Sequence, residues 1–482
     1  MLVVCFLFSV SVLFYVILST CGEVEKFFER YQLEGFEKFV IFRPPPPYRI
    51  VPNSFLVQTS DICDDACRQQ VQPLLSANFR TNGCQIRNSD MNIGSVYVLL
   101  IACDRKDMQR PSRSRIESMS RSVTKTVSGG LTGNGSKILI IENDRRFTLQ
   151  SLPHHGTHFS RGSFRTKFFG VDETDGGIPR DGLRTCAFQS NNGKGTDVWI
   201  LDSGCNPSSG ALCRSTVASE TRETCLDTYG HGNITGRLAT DSMIGIATEA
   251  TRHCIKVTDG ELSAWANVII GLGIVSRNLN RSKKGNVVNL AISEELDTLF
   301  ENDEFRLLNV ILKELSRLGV YVVSAAGNFD RRNACDTIPA AIRAEKLFRV
   351  QAHGLDGNPW REGMGSGNTV AVSGRDCIDL SAPGVGIEVS PAMNISGTSL
   401  ATAYVTGAIT VLLSDDRHVK LRTLTQRGRT INNGRELVSK RSLGLSCGQA
   451  LKRSRKYQKN RLRSYAVDLF YSIFPRASLQ KN

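Results

Sequence analysis

Four polar residues stand at junctions between structural elements. Asp202 follows an apolar strand in Leu201-Asp202-Ser203-Gly204, and His231 stands at a helix start in Tyr229-Gly230-His231-Gly232. Asn328 follows a second apolar strand in Ser324-Ala325-Ala326-Gly327-Asn328. Ser399 stands where the polar turn 394–398 runs into an apolar helix. Together these types supply one chemistry. A hydroxyl attacks a carbonyl, an imidazole takes its proton, a carboxylate fixes the imidazole tautomer, and an amide donates to the oxyanion. A serine at a helix N-terminus also lies in the positive end of the macrodipole, which favours developing negative charge. Taken singly, each residue has a commoner role: Ser and Asp cap helices, Asn makes turns, and a lone His is a satisfied polar group. The joint occurrence points to acyl transfer, with Ser399 as nucleophile, His231 as base, Asp202 as its orienting carboxylate and Asn328 as oxyanion donor.

These residues need a frame that brings them together. Residues 197–201, 253–257, 286–292 and 320–325 are apolar on both faces and read as strands, alternating with helices at 261–276 and 303–318. That pattern predicts an α/β fold with a parallel sheet covered by helices on both sides. Ligand sites in such sheets lie beyond the carboxyl ends of the strands, where the four residues fall. In the helix after Ser399, Leu400, Ala401, Tyr404, Val405, Ala408, Ile409 and Leu412 recur at helical spacing with apolar residues between them, so it is buried on most sides. Ahead of this region, strands at 54–58, 96–101 and 137–142 and helices at 62–78 and 113–127 predict a small α+β domain over roughly 48–150. Residues 151–195 lack periodicity and read as an irregular wrapping segment.

The chain has 482 residues, room for two or three domains, and a net charge of +14. Residues 2–18 are apolar apart from two serines, and Ser19-Thr20-Cys21 precedes Gly22, which predicts a signal peptide over 1–21 and a secreted or secretory-lumen protein. Cysteine usage agrees: Cys63, Cys67, Cys84 and Cys103 fall in the small domain and eight more follow Cys186, itself included, even numbers suited to disulfides. For Cys205, in an apolar setting, a free buried thiol is the alternative. Cys63-x3-Cys67 lacks a second pair at zinc spacing, so no metal is assigned and no cofactor is required. Structural calcium is left open, with no site read. Secretion argues against nucleic acid as partner, despite the basic run Lys452–Arg463 within the tail 451–482. That run is a solvated tail or a contact for an acidic surface, an anionic membrane or a glycan. Residues 418–450 read as peripheral helices. Sequons begin at Asn134, Asn233, Asn280 and Asn394; the first and third lie in polar loops open to glycosylation, the others adjoin the candidate catalytic residues.

The order Asp202, His231, Asn328, Ser399, separated by 29, 97 and 71 residues, with Ile395-Ser396-Gly397-Thr398-Ser399-Leu400-Ala401, resembles the subtilases, the subtilisin-like serine proteases, in their proteinase K branch. Ala325–Phe329 with Cys335, and Asp379–Gly384, are most similar to the secreted proteinase K-like proprotein convertases. The resemblance implies a subtilisin-like three-layer catalytic domain over 196–450 with a mostly parallel central sheet, preceded by an inhibitory propeptide over 22–150. It implies a Cys335–Cys377 disulfide and a cleft lined by Leu290, Ala291, Ile292, Ser293, Ala325, Ala326 and Gly327. It further implies a propeptide ending in an extended strand in the active site; Arg146–Pro153 fits, with self-cleavage between Gln150 and Ser151. The implied activity is that of a secreted serine endopeptidase made as a self-processing zymogen. Its partners would be protein or peptide substrates and its own propeptide.

Four departures bear on this. Ala403 replaces the proline usual in the serine motif. The histidine motif reads His231-Gly232-Asn233-Ile234-Thr235-Gly236, one residue short, which predicts a less firmly held base. The cleft strand continues Ser293-Glu294-Glu295 in place of glycines; carboxylates facing the cleft would favour basic substrate residues, and otherwise they are solvated loop acids. His155-Gly156-Thr157-His158 copies the histidine motif but precedes Asp202, so His231 is taken as the base. A different class stays open beside the enzyme: a catalytically weakened subtilase-like binding protein that cleaves itself at most once and acts through a retained prodomain or its basic tail.

Overall fold

The computed structural model describes residues 50–59, 84–88, 91–103, 138–149, 192–217, 225–295 apart from 243 and 261, 305–328, 334–353, 377–390, 393–415, 430–431 and 434–435. The signal peptide, the helices at 62–78 and 113–127, Gln150 and Ser151, the segment 151–191 with His155 and His158, and the basic tail lie outside the described residues.

Four strands come first: β1 (Ile50–Thr59), β2 (Cys84–Asn88), β3 (Tyr97–Cys103) and β4 (Ile138–Thr148). Then follow β5 (Thr196–Asp202), β6 (Cys213–Ser215), helix α1 (His231–Thr240), β7 (Thr251–Lys256), β8 (Leu262–Ala264), α2 (Trp265–Arg277), β9 (Gly285–Leu290) and β10 (Glu294–Glu295). The series continues with α3 (Arg306–Arg317), β11 (Val320–Ala325), β12 (Thr337–Ile338), β13 (Leu347–His353), β14 (Leu380–Pro383), β15 (Ile387–Ser390), β16 (Met393–Ile395) and α4 (Thr398–Asp415). Two-residue strands β17 (Thr430–Ile431) and β18 (Gly434–Arg435) close the described chain.

Seven strands form the central sheet in the order β14-β13-β11-β9-β5-β7-β6, and every pairing in it is parallel. Side chains alternate across a strand, so each central strand feeds two cores. Val198 and Ile200 face one, with α1 and α4; Trp199 and Leu201 face the other, with α2 and α3. This is the three-layer α/β arrangement, and it explains why β5 and β11 are buried throughout. α4 runs through the first core. Gly407 permits its close crossing with α1, since a Cβ there would lie 2.7 Å from the Ala239 carbonyl oxygen and 2.6 Å from the Ile246 Cβ. The buried threonines of α4 satisfy themselves: Thr402, Thr406 and Thr410 each donate to the carbonyl four residues back.

The small sheet is antiparallel, ordered β2-β3-β1-β4, and it continues into β8, which belongs to the larger body. β4 pairs with β8 through Arg146 and Ala264, Phe147 and Ser263, and Thr148 and Leu262. Leu56, Met91, Ile93, Val98 and Phe147 pack in one cluster with Val268 and Leu272 of α2 and Leu308 and Leu312 of α3. Each such buried side chain contributes roughly 1.5–3 kcal/mol. Polar contacts fix the docking angle. The Ser95 backbone N–H and hydroxyl both donate to Glu314 Oε1, at 2.8 and 3.1 Å. Asp144 accepts the Ala266 N–H in the first turn of α2 at 3.0 Å and the Ser54 hydroxyl at 3.1 Å. Burial outweighs these bonds and pushes the Asp144 carboxyl up to about 6.

Some expectations need correction. The helix expected from 261 is preceded by β8, because Ser263 and Ala264 are spent on pairing with β4. The expected strand 286–292 ends at Leu290. Within 418–450 the described residues are the paired strands β17 and β18, and the rest of the expected helices lies outside the described residues. Among the described residues three disulfides join Cys205 to Cys254, Cys213 to Cys225 and Cys335 to Cys377. Cys205 is therefore not a free thiol. Among the described residues no helix is long and apolar enough to cross a membrane.

Candidate active site

Asp202 is the last residue of β5 and His231 the first of α1. His231 Nδ1 lies 2.7 Å from Asp202 Oδ1, and both side chains are buried. The Ser203 N–H donates to the same oxygen at 2.7 Å, and Thr235, one turn along α1, donates to Oδ2 at 3.3 Å. Gly232 allows this approach: a Cβ on it would lie 1.9 Å from the Gly204 carbonyl oxygen and 2.9 Å from Asp202 Cβ.

The sequence reading missed Asp227, which holds this region together. Its Oδ1 accepts the N–H groups of Tyr229 and Gly230 at 2.9 and 2.8 Å and the Ser203 hydroxyl at 2.9 Å. Its Oδ2 accepts the Asn233 N–H at 2.7 Å. The Ser203 oxygen in turn accepts the Gly232 N–H at 3.0 Å. Gly230, the N-cap, has no side chain to cap with, so Asp227 takes the Asn233 donor of the first turn and Ser203 that of Gly232. The signal available was an acid just ahead of a helix start. The shortened histidine motif therefore does not leave His231 loose. Burial works against the imidazolium, but the Asp202 carboxylate beside it, with Asp227 farther off, outweighs burial and holds its pKa above the usual 6.5.

Ser399 is the second residue of α4, and its hydroxyl donates to the Ala291 carbonyl at 3.2 Å. Asn328 Oδ1 accepts both the N–H and the hydroxyl of Thr398, at 2.9 and 2.8 Å. That fixes the amide so that Nδ2 faces Gly397: a Cβ on Gly397 would lie 3.4 Å from it. The Asn328 amide donor thus sits beside the turn that carries Ser399.

Of the expected cleft residues, Ala291 touches Ser399. The side chains of Leu290 and Ile292 are in the core, and Leu290 pairs with Ser324 of β11. Ala325 ends β11, the Ala326 carbonyl accepts the Thr337 hydroxyl at 2.8 Å, and Gly327 adopts φ 105°. Ser293 is buried. Glu294 and Glu295 are neither free in the cleft nor solvated: both are buried, and they pair as β10 with β12. Glu294 Oε1 receives Arg145 of β4 at 3.2 Å, and Oε2 receives Trp265 Nε1 at 2.6 Å. Asn233 is buried, and its side-chain oxygen accepts the Asn206 N–H at 3.0 Å; Asn280 is exposed, and its side-chain oxygen accepts the N–H and hydroxyl of Ser282. Among the described residues no group of three or more His, Cys, Asp or Glu side chains is arranged to hold a metal ion.

Residues 193–445 match the subtilase family. The chain is 30% identical over 257 residues to the extracellular serine proteinase of Thermus sp. (strain Rt41A), covering 51% of this chain and 56% of that protein. It is 30% identical over 207 residues to proprotein convertase subtilisin/kexin type 9 of Rattus norvegicus, covering 42% of this chain and 27% of the relative. Among solved structures, a cold adapted subtilisin-like serine proteinase aligns over 56% of this chain and 98% of its own, with 21% identity and a TM-score of 0.46. The matches span about half of the Thermus relative and about a quarter of the rat one. By the family match across more than half of its length, the chain belongs to the subtilases.

Proposed function

We propose that this chain is a secreted serine endopeptidase made as a self-processing zymogen, with Ser399, His231 and Asp202 as its triad and Asn328 in its oxyanion hole. The observation that carries the reading is the buried 2.7 Å contact between His231 and Asp202 at the same sheet edge as Ser399 and Asn328. With its Nδ1–H donated in a hydrogen bond to the Asp202 carboxylate, the imidazole presents Nε2 as the acceptor for the Ser399 proton. The hydroxyl turns from the Ala291 carbonyl to attack the substrate carbonyl carbon. Charge that develops on the carbonyl oxygen is met by Asn328 Nδ2 and the Ser399 backbone N–H in the first turn of α4. The imidazolium, stabilised by Asp202, then gives its proton to the leaving amine, and water repeats the sequence on the acyl-enzyme. These groups call for no cofactor in this step. The extracellular relative and the three disulfides support secretion.

The second reading, a binding protein that cleaves itself at most once, is favoured by one observation. The small sheet shares a hydrophobic cluster with α2 and α3, so its departure would expose Met91, Ile93, Val268 and Leu272 to water. The test is to express the wild type and Ser399→Ala, follow cleavage at 150/151, and assay the purified product on a peptide library. Processing that needs Ser399, followed by hydrolysis in trans, supports the endopeptidase. Processing with no activity in trans supports the second reading, and an intact wild-type chain overturns self-cleavage.

A further inference from the structure

We propose that Glu294 is a specificity-determining residue that selects a basic side chain six positions before the scissile bond; this rests on the protease reading above. The chain holds one such segment in place. Arg145, six residues back from the expected bond after Gln150, brings both Nε and Nη2 to within 3.2 Å of Glu294 Oε1. Its guanidinium carbon lies 5.4 Å from the centroid of the Phe305 ring. A planar guanidinium can make both contacts at once, and a lysine ammonium makes them less well.

The position of Glu294 relates this pair to cleavage. Glu294 lies three residues beyond Ala291, whose carbonyl receives the Ser399 hydroxyl. On the other flank, β8 leaves the end of β7, where the Val257 N–H donates to the Asp202 carbonyl at 2.8 Å. β4 is held between these two flanks, antiparallel to β8. Arg145, Phe147 and Leu149 are buried at a period of two, with Phe147 centred 5.5 Å from Trp265. The segment is thus read by side chain: a cation at Glu294 and an aromatic at Trp265.

Rejection follows from the same geometry. Glu294 is buried, and its other oxygen is already taken by Trp265. A segment lacking the cation would leave a buried carboxylate uncompensated, and an acidic one would add repulsion. The substrates expected are therefore protein segments with Arg, or less well Lys, at the sixth position and a bulky apolar residue at the fourth.

The test measures the self-cleavage rate of full-length chains carrying Arg, Lys, Ala or Glu at 145, with Glu294 intact or as Glu294→Gln. With Glu294 intact, Arg145→Ala is expected to slow cleavage at least about 30-fold and Arg145→Lys much less. In Glu294→Gln the dependence on residue 145 should largely vanish. The same chains made with Ser399→Ala, compared by thermal melting, show whether each folds. In the mature protein, an octapeptide matching 145–152 should be cut at least about tenfold better than its analogue with Ala first, and Glu294→Gln should bring the ratio near one. Equal rates for Arg145 and Arg145→Ala in folded chains, or a preference for Arg that survives Glu294→Gln, would overturn the inference. A wild-type chain that stays as intact as Ser399→Ala would instead overturn the protease reading, and this inference with it.

Discussion

Two buried carboxylates, Asp202 at the end of β5 and Glu294 beyond the end of the neighbouring β9, are satisfied in different ways. Asp202 is met by donors from its own neighbourhood: the Ser203 N–H, Thr235 and His231. Asp227 then anchors the turn that carries His231. Nothing in this set has to leave for a substrate to enter. Glu294 is met by Trp265 and by Arg145, which arrives on β4 from the small sheet. A buried charge compensated locally is fixed machinery. One compensated by a segment expected to be cut away can accept a replacement of like chemistry.

The largest effect is expected at the fixed side: Asp202→Asn should lower kcat by about 10⁴-fold, because the imidazole loses its tautomer partner, as measured by self-cleavage or peptide hydrolysis. Next comes the Cys205–Cys254 disulfide, which ties the turn after Asp202 to β7. Replacing both cysteines by Ser should cost about 2–4 kcal/mol in denaturant unfolding. Asp227→Asn should cost about 10- to 100-fold in rate. It also removes a negative charge that helps hold the His231 pKa up, so the acid limb of the pH–rate profile should move to lower pH.

The smallest effect belongs to the small-sheet contact. Asp144 has a folded pKa of about 6 against an ordinary 3.8, so folding favours its protonated form. Its contribution is most favourable at low pH and is lost as pH rises from about 4 to about 6. Asp144→Asn cannot titrate. The stability of the wild type relative to this variant should fall across that window and stay flat above it, measured by melting at a series of pH values.

The two regions also differed in how legible they were. Asp202, His231, Asn328 and Ser399 stand at element junctions with local signatures, and parallel strands bring such junctions to one edge. The all-buried β5 and β11 were visible as apolar runs for the same reason. β13 and β14 went unread; β14 is only Leu380–Pro383, and its pairing with β13 is a long-range event that local pattern does not record. Asp227 stayed hidden because its role depends on four donors gathered by a turn. For Glu294 the sequence leaves two readings open, a cleft carboxylate that favours basic residues or a solvated acid, and it does not show the burial or the partner 149 residues away.

Whether Ser399 and His231 act as one unit is measured by the rate at which the 150/151 cut appears in three variants. Ser399→Ala, His231→Ala and the double variant should all fall to the same residual rate, because members of a catalytic unit are not additive. A His231→Ala chain that still cuts itself near the wild-type rate, or losses that add in the double variant, would contradict the account.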